Sequence, residues 1–231
     1  MMIGGCGPQA SAGQSHRGGT RIAPEHVSTE IWDTPTGHGE TVVLVHGSFA
    51  ADPAATWIRQ RDLAECYRLI VVARHGYGGT PLPEGRSDSL EADVAGVIQV
   101  LASVDGGAHL VGFSYGGLVA LVAGSSTPPL VRSLAVIEPP IFALARDNPA
   151  GAHVMAVLDP VYAGRDQMTP DQYYAAFLRA LGQQADERVP LPAAERQAAA
   201  AAQREAVPWP VDPPLDALAG APFPKLVVSG G

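Results

Sequence analysis

The sequence is short of the residues on which several chemistries depend. Only two of its 231 residues are cysteine, Cys6 in a glycine-rich leader and Cys66 in a predicted helix. Neither a disulfide framework nor a cysteine-based zinc site is suggested, and a reducing compartment is the simplest inference. Basic residues are outnumbered, Lys+Arg 15 against Asp+Glu 23, and the formal net charge is -8 with no basic run. Such a surface repels phosphate backbones and anionic lipid, so no nucleic-acid partner is expected. Gly, Pro or charge cuts every apolar stretch short of the roughly 20 residues that cross a bilayer. Residues 1–19 also lack the charged start and sustained apolar run of a secretory signal, so no membrane partner and a cytoplasmic location are expected. A His-Glu-x-x-His helix and a phosphate loop ending in Gly-Lys-Ser/Thr are both absent, and no metal or nucleotide cofactor is expected.

What is present is ordinary globular composition, 46% hydrophobic and 16% charged, enough for one core. Residues 1 to about 20, rich in Gly, Ser and Gln without periodicity, are expected to form a flexible tail. Residues 21–231 then make a single domain. Residues 41–45 form an unbroken β-branched and apolar run of the kind buried on both faces of a parallel sheet. Asp52-Pro53 supplies an N-cap and a first-turn proline for a helix running through Trp57 and Leu63 towards Cys66. Residues 69–73 read as the next strand. Asp88 and Glu91 have capping-box spacing ahead of Leu90, Val94, Val97, Ile98 and Leu101, which recur at helical intervals. Residues 109–113 are a third strand, 118–124 a helix and 134–137 a fourth strand. This alternation predicts a doubly wound, mostly parallel sheet with helices on both faces, whose ligands bind at the carboxyl ends of the strands.

The pattern breaks over residues 141–222, where Ala, Pro and Gln dominate, and a helical cap inserted over the sheet is predicted. One helix starts at Thr169-Pro170, carries Tyr174, Phe177, Leu178 and Leu181 on one face and ends at Gly182. A second, alanine-rich helix runs over residues 192–206. The aromatic stripe serves either as packing between cap and core or as a pocket wall. Residues 225–229 resume the strand pattern.

The chemistry-bearing segment is Gly112-Phe113-Ser114-Tyr115-Gly116-Gly117, a serine between glycines, after a buried strand and before a helix. That context makes a Gly-x-Ser-x-Gly elbow, in which small neighbours permit a tight turn and the serine hydroxyl is lifted to a helix N-terminus. A glycine-rich loop that merely packs tightly is the plain alternative. With Val45-His46-Gly47-Ser48 and Arg74-His75-Gly76-Tyr77-Gly78, the segment resembles three landmarks of the serine α/β-hydrolase superfamily.

The resemblance implies a hydrolase with Ser114 as nucleophile, acting on a small ester-like substrate without a cofactor. Ser48 and Tyr115 would give backbone N–H groups to an oxyanion hole, their side chains being incidental. His46 shapes its turn, His75 is a loop residue bordering the pocket, and His109, at the far end of a strand, is structural. In this fold the chain order is serine, acid, histidine. Only His153 follows Ser114, and it falls in the insertion, so the base and its acid are expected beyond Gly231. Glu138 is a candidate acid, in the position a minority of relatives use, beside its reading as a glutamate that holds the turn. A missing base would leave the chain weakly active or inactive. Two other readings stay open: a non-catalytic binding protein that keeps the fold, and a perhydrolase in which peroxide replaces water.

Overall fold

The computed structural model describes residues 27–82 and 90–230. The tail expected over residues 1–20, and Asp88 of the predicted capping box, lie outside the described residues. Six strands form one sheet in the order β1-β3-β2-β4-β5-β6. They are β1 (Thr29–Trp32), β2 (Glu40–Val45), β3 (Tyr67–Val72), β4 (Ala108–Phe113), β5 (Val131–Ile137) and β6 (Lys225–Val228). All pair in parallel except β1, which runs antiparallel on β3 with Thr29 opposite Val72. The short edge strand β1 carries one buried residue, Trp32.

After β2 the chain moves to β3 on one side and then returns to β4 on the other. The order therefore reverses at the β2–β4 pair, the place where open sheets of this kind generally bind their ligands. His46-Gly47 follows β2 and Ser114 follows β4.

Side chains alternate across the sheet, and the two faces are covered unequally. Val43, Val45, Leu110 and Leu134 point to a closed core with α2 (Leu90–Ala102), α3 (Tyr115–Ser126) and α7 (Leu215–Gly220). Burying each such side chain contributes about 1.5–3 kcal/mol. On the other face Leu44, Leu69 and Val71 pack against Trp32, Ala54 and Trp57, whereas Val111, Phe113 and Ile137 are only partly covered. Burial of both faces, expected for residues 41–45, thus holds for β2, extends to β3 and fades through β4 and β5. In β6, Leu226 and Val227 are 58% and 64% exposed.

Asp52 caps α1 (Pro53–Thr56) through bonds from the Ala54 and Ala55 amides, with Pro53 in the first turn. The helix expected to continue to Cys66 does not do so. A 3-10 segment, Ile58–Glu65, replaces it and buries none of its residues. Its polar run Arg59-Gln60-Arg61-Asp62 presents no apolar stripe that could hold an α-helix to the sheet. Cys66 is disulfide-bonded, against the expectation of a reduced chain; the other cysteine, Cys6, lies outside the described residues. No helix among the described residues is long and apolar enough to cross a membrane.

Between β5 and β6 lie α4 (Pro149–Gly164), α5 (Pro170–Ala180), α6 (Ala193–Ala202) and α7. Thr169 and Gln172 close a capping box on α5. The buried face of α5 is offset from the expected one. Tyr173 is enclosed, Ala176, Phe177 and Ala180 join its cluster, and Leu181 is exposed. Helix α4 was not foreseen, although Asn148 caps it with Pro149 in the first turn.

Candidate functional site

Three residues other than glycine have positive φ among the described residues: Phe49 at 59°, Ser114 at 51° and Glu138 at 48°. All three sit just past the carboxyl ends of β2, β4 and β5. Each such conformation costs of order 1–3 kcal/mol and persists only where the surroundings enforce it.

At Ser114 the enforcement is visible. Its N–H donates to Ile137 O at 2.8 Å, and its carbonyl accepts from Gly117 N–H at 2.8 Å as α3 begins. A Cβ on Gly112 would collide with the Gly116 carbonyl, and one on Gly116 with the carbonyls of Val45 and His46. A Cβ on Gly47 would stand 2.9 Å from Ser114 Cβ. The elbow and the His46-Gly47 turn are therefore pressed together with only backbone between them. The N–H groups of Ser48 and of Tyr115, the first residue of α3, have no hydrogen-bond partner among the described residues. A helix N-terminus with free N–H groups favours negative charge nearby.

His46 is fully buried and both its ring nitrogens are engaged. The Arg74 N–H donates to Nε2 at 3.1 Å, so the proton resides on Nδ1, which donates to Gly47 O at 2.7 Å. Burial, helped by the neighbouring Arg74 charge, lowers its pKa to about 3. It is a neutral brace of the turn and no proton acceptor for Ser114.

Beneath the turns lies an ion cluster that sequence reading missed. The buried Arg74 guanidinium donates to Asp93 at 2.9 Å, to Glu205 at 2.6 Å, to Gly47 O at 3.0 Å and to His46 O at 3.0 Å. Desolvation acts to lower its pKa, but Glu205 and Asp93 together hold it above the ordinary arginine value. Asp93, from α2, also takes the His75 N–H at 2.8 Å and its Nδ1 at 3.0 Å. Burial opposes the Asp93 charge, yet Arg74 and His75 keep its pKa below the usual carboxylate value. His75, in the turn after β3 as expected of a loop residue, is thus buried and anchors that turn to α2. Glu205, which follows α6, accepts from the Tyr77 hydroxyl at 2.8 Å and from Ser48 Oγ at 2.5 Å. The Ser48 side chain is consequently not incidental. The Tyr115 ring lies 4.9 Å from the Arg74 guanidinium carbon, with its hydroxyl buried and without a hydrogen-bond partner among the described residues. Burial, and after it the Glu205 charge, raises the Tyr115 pKa.

The insertion reaches the same turn through rings. Phe49 packs against Tyr173, Tyr174 and Phe177 at centroid distances of 5.8, 5.3 and 5.0 Å. Tyr162 stands edge-on to Trp209 at 4.9 Å. Through Phe49 these rings join the insertion to the turn after β2.

The remaining sequence-predicted residues lie apart. His109 bonds Ser133 at 2.7 Å and Glu40 at 3.2 Å at the amino-terminal end of the sheet, as expected of a structural residue. His153 is exposed on α4. Glu138 accepts the Gly230 N–H at 3.1 Å, tying the loops after β5 and β6 together. Among the described residues no histidine is hydrogen-bonded to Ser114, and no group of three or more His, Cys, Asp or Glu could hold a metal ion.

The profile of the Alpha/beta hydrolase family matches residues 42–231. Among curated proteins, the chain is 31% identical over 148 residues to a pimeloyl-acyl-carrier-protein methyl ester esterase of Aeromonas salmonicida, covering 63% of this chain and 56% of that enzyme. It is 26% identical over 146 residues to "Probable lysophospholipase BODYGUARD 5" of Arabidopsis thaliana, covering 60% of this chain and 32% of that protein. The matches thus span about half or less of these relatives. Among solved structures, an alpha/beta hydrolase from Sphaerobacter thermophilus superimposes with a TM-score of 0.60 at 21% identity, over 89% of this chain and 78% of that one.

Proposed function

Because the chain belongs to the alpha/beta hydrolase family, we propose that it is a serine hydrolase cleaving a small ester-like substrate through an acyl-enzyme on Ser114. The observation that carries this reading is the strained Ser114 backbone, at φ 51° and ψ -125°, heading α3 beside the His46-Gly47 turn. In the proposed reaction Ser114 Oγ attacks the ester carbonyl. The oxygen, as it gains negative charge, is received by the free N–H groups of Ser48 and Tyr115. The alcohol leaves, and water then releases the acid from the serine. Two such donors, fixed before substrate arrives, act where charge develops and are worth several kcal/mol of barrier. Esters are favoured over other acyl compounds by the names of the two curated relatives.

Ser114 must pass its proton to a base. None of the described histidines is assigned that role, since His46 and His75 are bonded elsewhere and His109 and His153 lie apart. Glu138, exposed at the end of β5, is the candidate acid. Residues 141–222 are proposed as the cap, because Phe49 and Ser48 both contact them beside the nucleophile.

The test is acylation itself. A fluorophosphonate probe applied to the whole product of the gene should label one peptide, the one containing Ser114, and Ser114→Ala should abolish the label. Label on another serine overturns the assignment. An unlabelled protein would be a binding module that keeps the fold without the reaction.

A further inference from the structure

Glu205 belongs to the insertion, yet its carboxylate ends at the base of the turn that carries Ser48. Its two oxygens are divided: Oε1 takes Arg74 Nη2 at 2.6 Å and the Tyr77 hydroxyl at 2.8 Å, while Oε2 takes Ser48 Oγ at 2.5 Å. The same Arg74 Nη2 holds Gly47 O at 3.0 Å. Among the described residues, the Gly47 oxygen is thus held by His46 and by Arg74, and Glu205 holds both Arg74 and the Ser48 hydroxyl. A peptide oxygen held on one side orients the N–H on the other, because the peptide unit is planar. The N–H in question is that of Ser48.

We propose that Glu205 is a positioning residue for the oxyanion hole, aiming the Ser48 N–H through the Ser48 hydroxyl and Arg74, so that docking of the insertion and assembly of the hole are one event. This rests on the reading of Ser114 as nucleophile and Ser48 as oxyanion donor. The cluster is suited to the task. Arg74, Asp93 and Glu205 are all buried, and charge-assisted bonds in such a site are short, strong and directional. Their neighbours Tyr77 and Tyr115 flank the guanidinium, each ring 4.9 Å away. If the insertion lifts, Glu205 leaves with it, and both Ser48 Oγ and one side of Arg74 lose their partner. A hole that forms only when the cap is seated would limit reaction to substrates already enclosed.

The test uses Ser48→Ala, which removes the hydroxyl while leaving the Arg74–Glu205 pair intact, together with Glu205→Gln and the double variant. On an activated acetate ester, Ser48→Ala should lower kcat about tenfold with KM nearly unchanged, since a displaced donor weakens transition-state binding only. Glu205→Gln should cost at least as much, and the double variant no more than Glu205→Gln alone, because both act through one contact. Ser48→Thr, which keeps the hydroxyl, should restore kcat. Amide exchange over residues 47–49 should quicken in Ser48→Ala and Glu205→Gln and not in Ser48→Thr. Multiplicative losses in the double variant, an unchanged kcat in Ser48→Ala, or unaltered exchange would each overturn the proposal while Ser114 labelling stood. A wild-type protein that takes no label at Ser114 would remove the nucleophile reading and this inference together.

Discussion

The carboxyl ends of β2 and β4 and the strand β6 belong to one sheet but are held in different ways. At the first, backbone meets backbone without room for a Cβ, Phe49 and Ser114 carry positive φ, and a buried arginine binds two carboxylates and two carbonyls. At the second, β6 pairs with β5 alone, forms the sheet edge among the described residues, and leaves its side chains exposed. A strained conformation has to be imposed from several sides at once, whereas a regular strand needs only its ladder. Sensitivity to substitution should therefore fall steeply from the one region to the other.

The sharpest way to break the comparison is within a single helix. A Cβ on Gly116, in the first turn of α3, would collide with two main-chain carbonyls that cannot move without shifting β2. Gly116→Ala should cost on the order of 3 kcal/mol or more, and the protein should melt far below wild type or fail to fold. Gly124 lies two turns further on, and a Cβ there would meet Leu134 at 3.5 Å, an ordinary contact. Gly124→Ala should stabilise by about 0.5–1 kcal/mol through helix propensity. Similar melting temperatures for the two variants would show that the elbow is no tighter than the rest of α3.

A smaller effect should appear with pH. His46 is neutral in the fold with a pKa of about 3, against 6.5 in an ordinary setting. The unfolded chain therefore binds the extra proton first, and stability present above pH 6.5 is lost as pH falls towards 3. Asp93, also depressed, adds to the loss in the same direction below its ordinary value of 3.8. Thermal melting between pH 7 and 4 should show a decline that is shallower in His46→Gln, whose own melting point starts lower because the brace is damaged. An equal slope in both proteins would mean that another group controls the acid transition.

The elbow region was the most legible part of the sequence, and the reason is local. Glycine at 112, 116 and 117, apolar strands of five or six residues and the cap pairs Asp52-Pro53 and Thr169-Pro170 act over a few positions, so their meaning survives without knowledge of the fold. Helix α4 carried the same signal in Asn148-Pro149, but Gly151 and Pro160 disguise its periodicity. Strand β1 was hidden because it buries only Trp32. Glu205 left no trace at all: it is one glutamate after an alanine-rich helix, and its role comes from Arg74 and Tyr77, 131 and 128 residues away. Polar contacts of this length between the insertion and the turns above the sheet depend on packing that no local pattern encodes.

The least effect is expected at β6, and it tests the other side of the comparison. Val227 pairs with Val136 through the backbone but has 64% of its surface exposed. Replacing it by threonine keeps a β-branched residue in the ladder and removes apolar surface that makes no enclosed contact. Val227→Thr should change stability by less than about 0.5 kcal/mol. Because β6 is the edge strand among the described residues and an exposed, apolar edge is a template for pairing with another chain, the same substitution should slow aggregation of the 231-residue chain at elevated temperature. Light scattering during a thermal hold, set beside the melting temperature, separates the two effects. A loss of stability above 1 kcal/mol would show that Val227 is packed in solution and that the edge is as firmly held as the elbow.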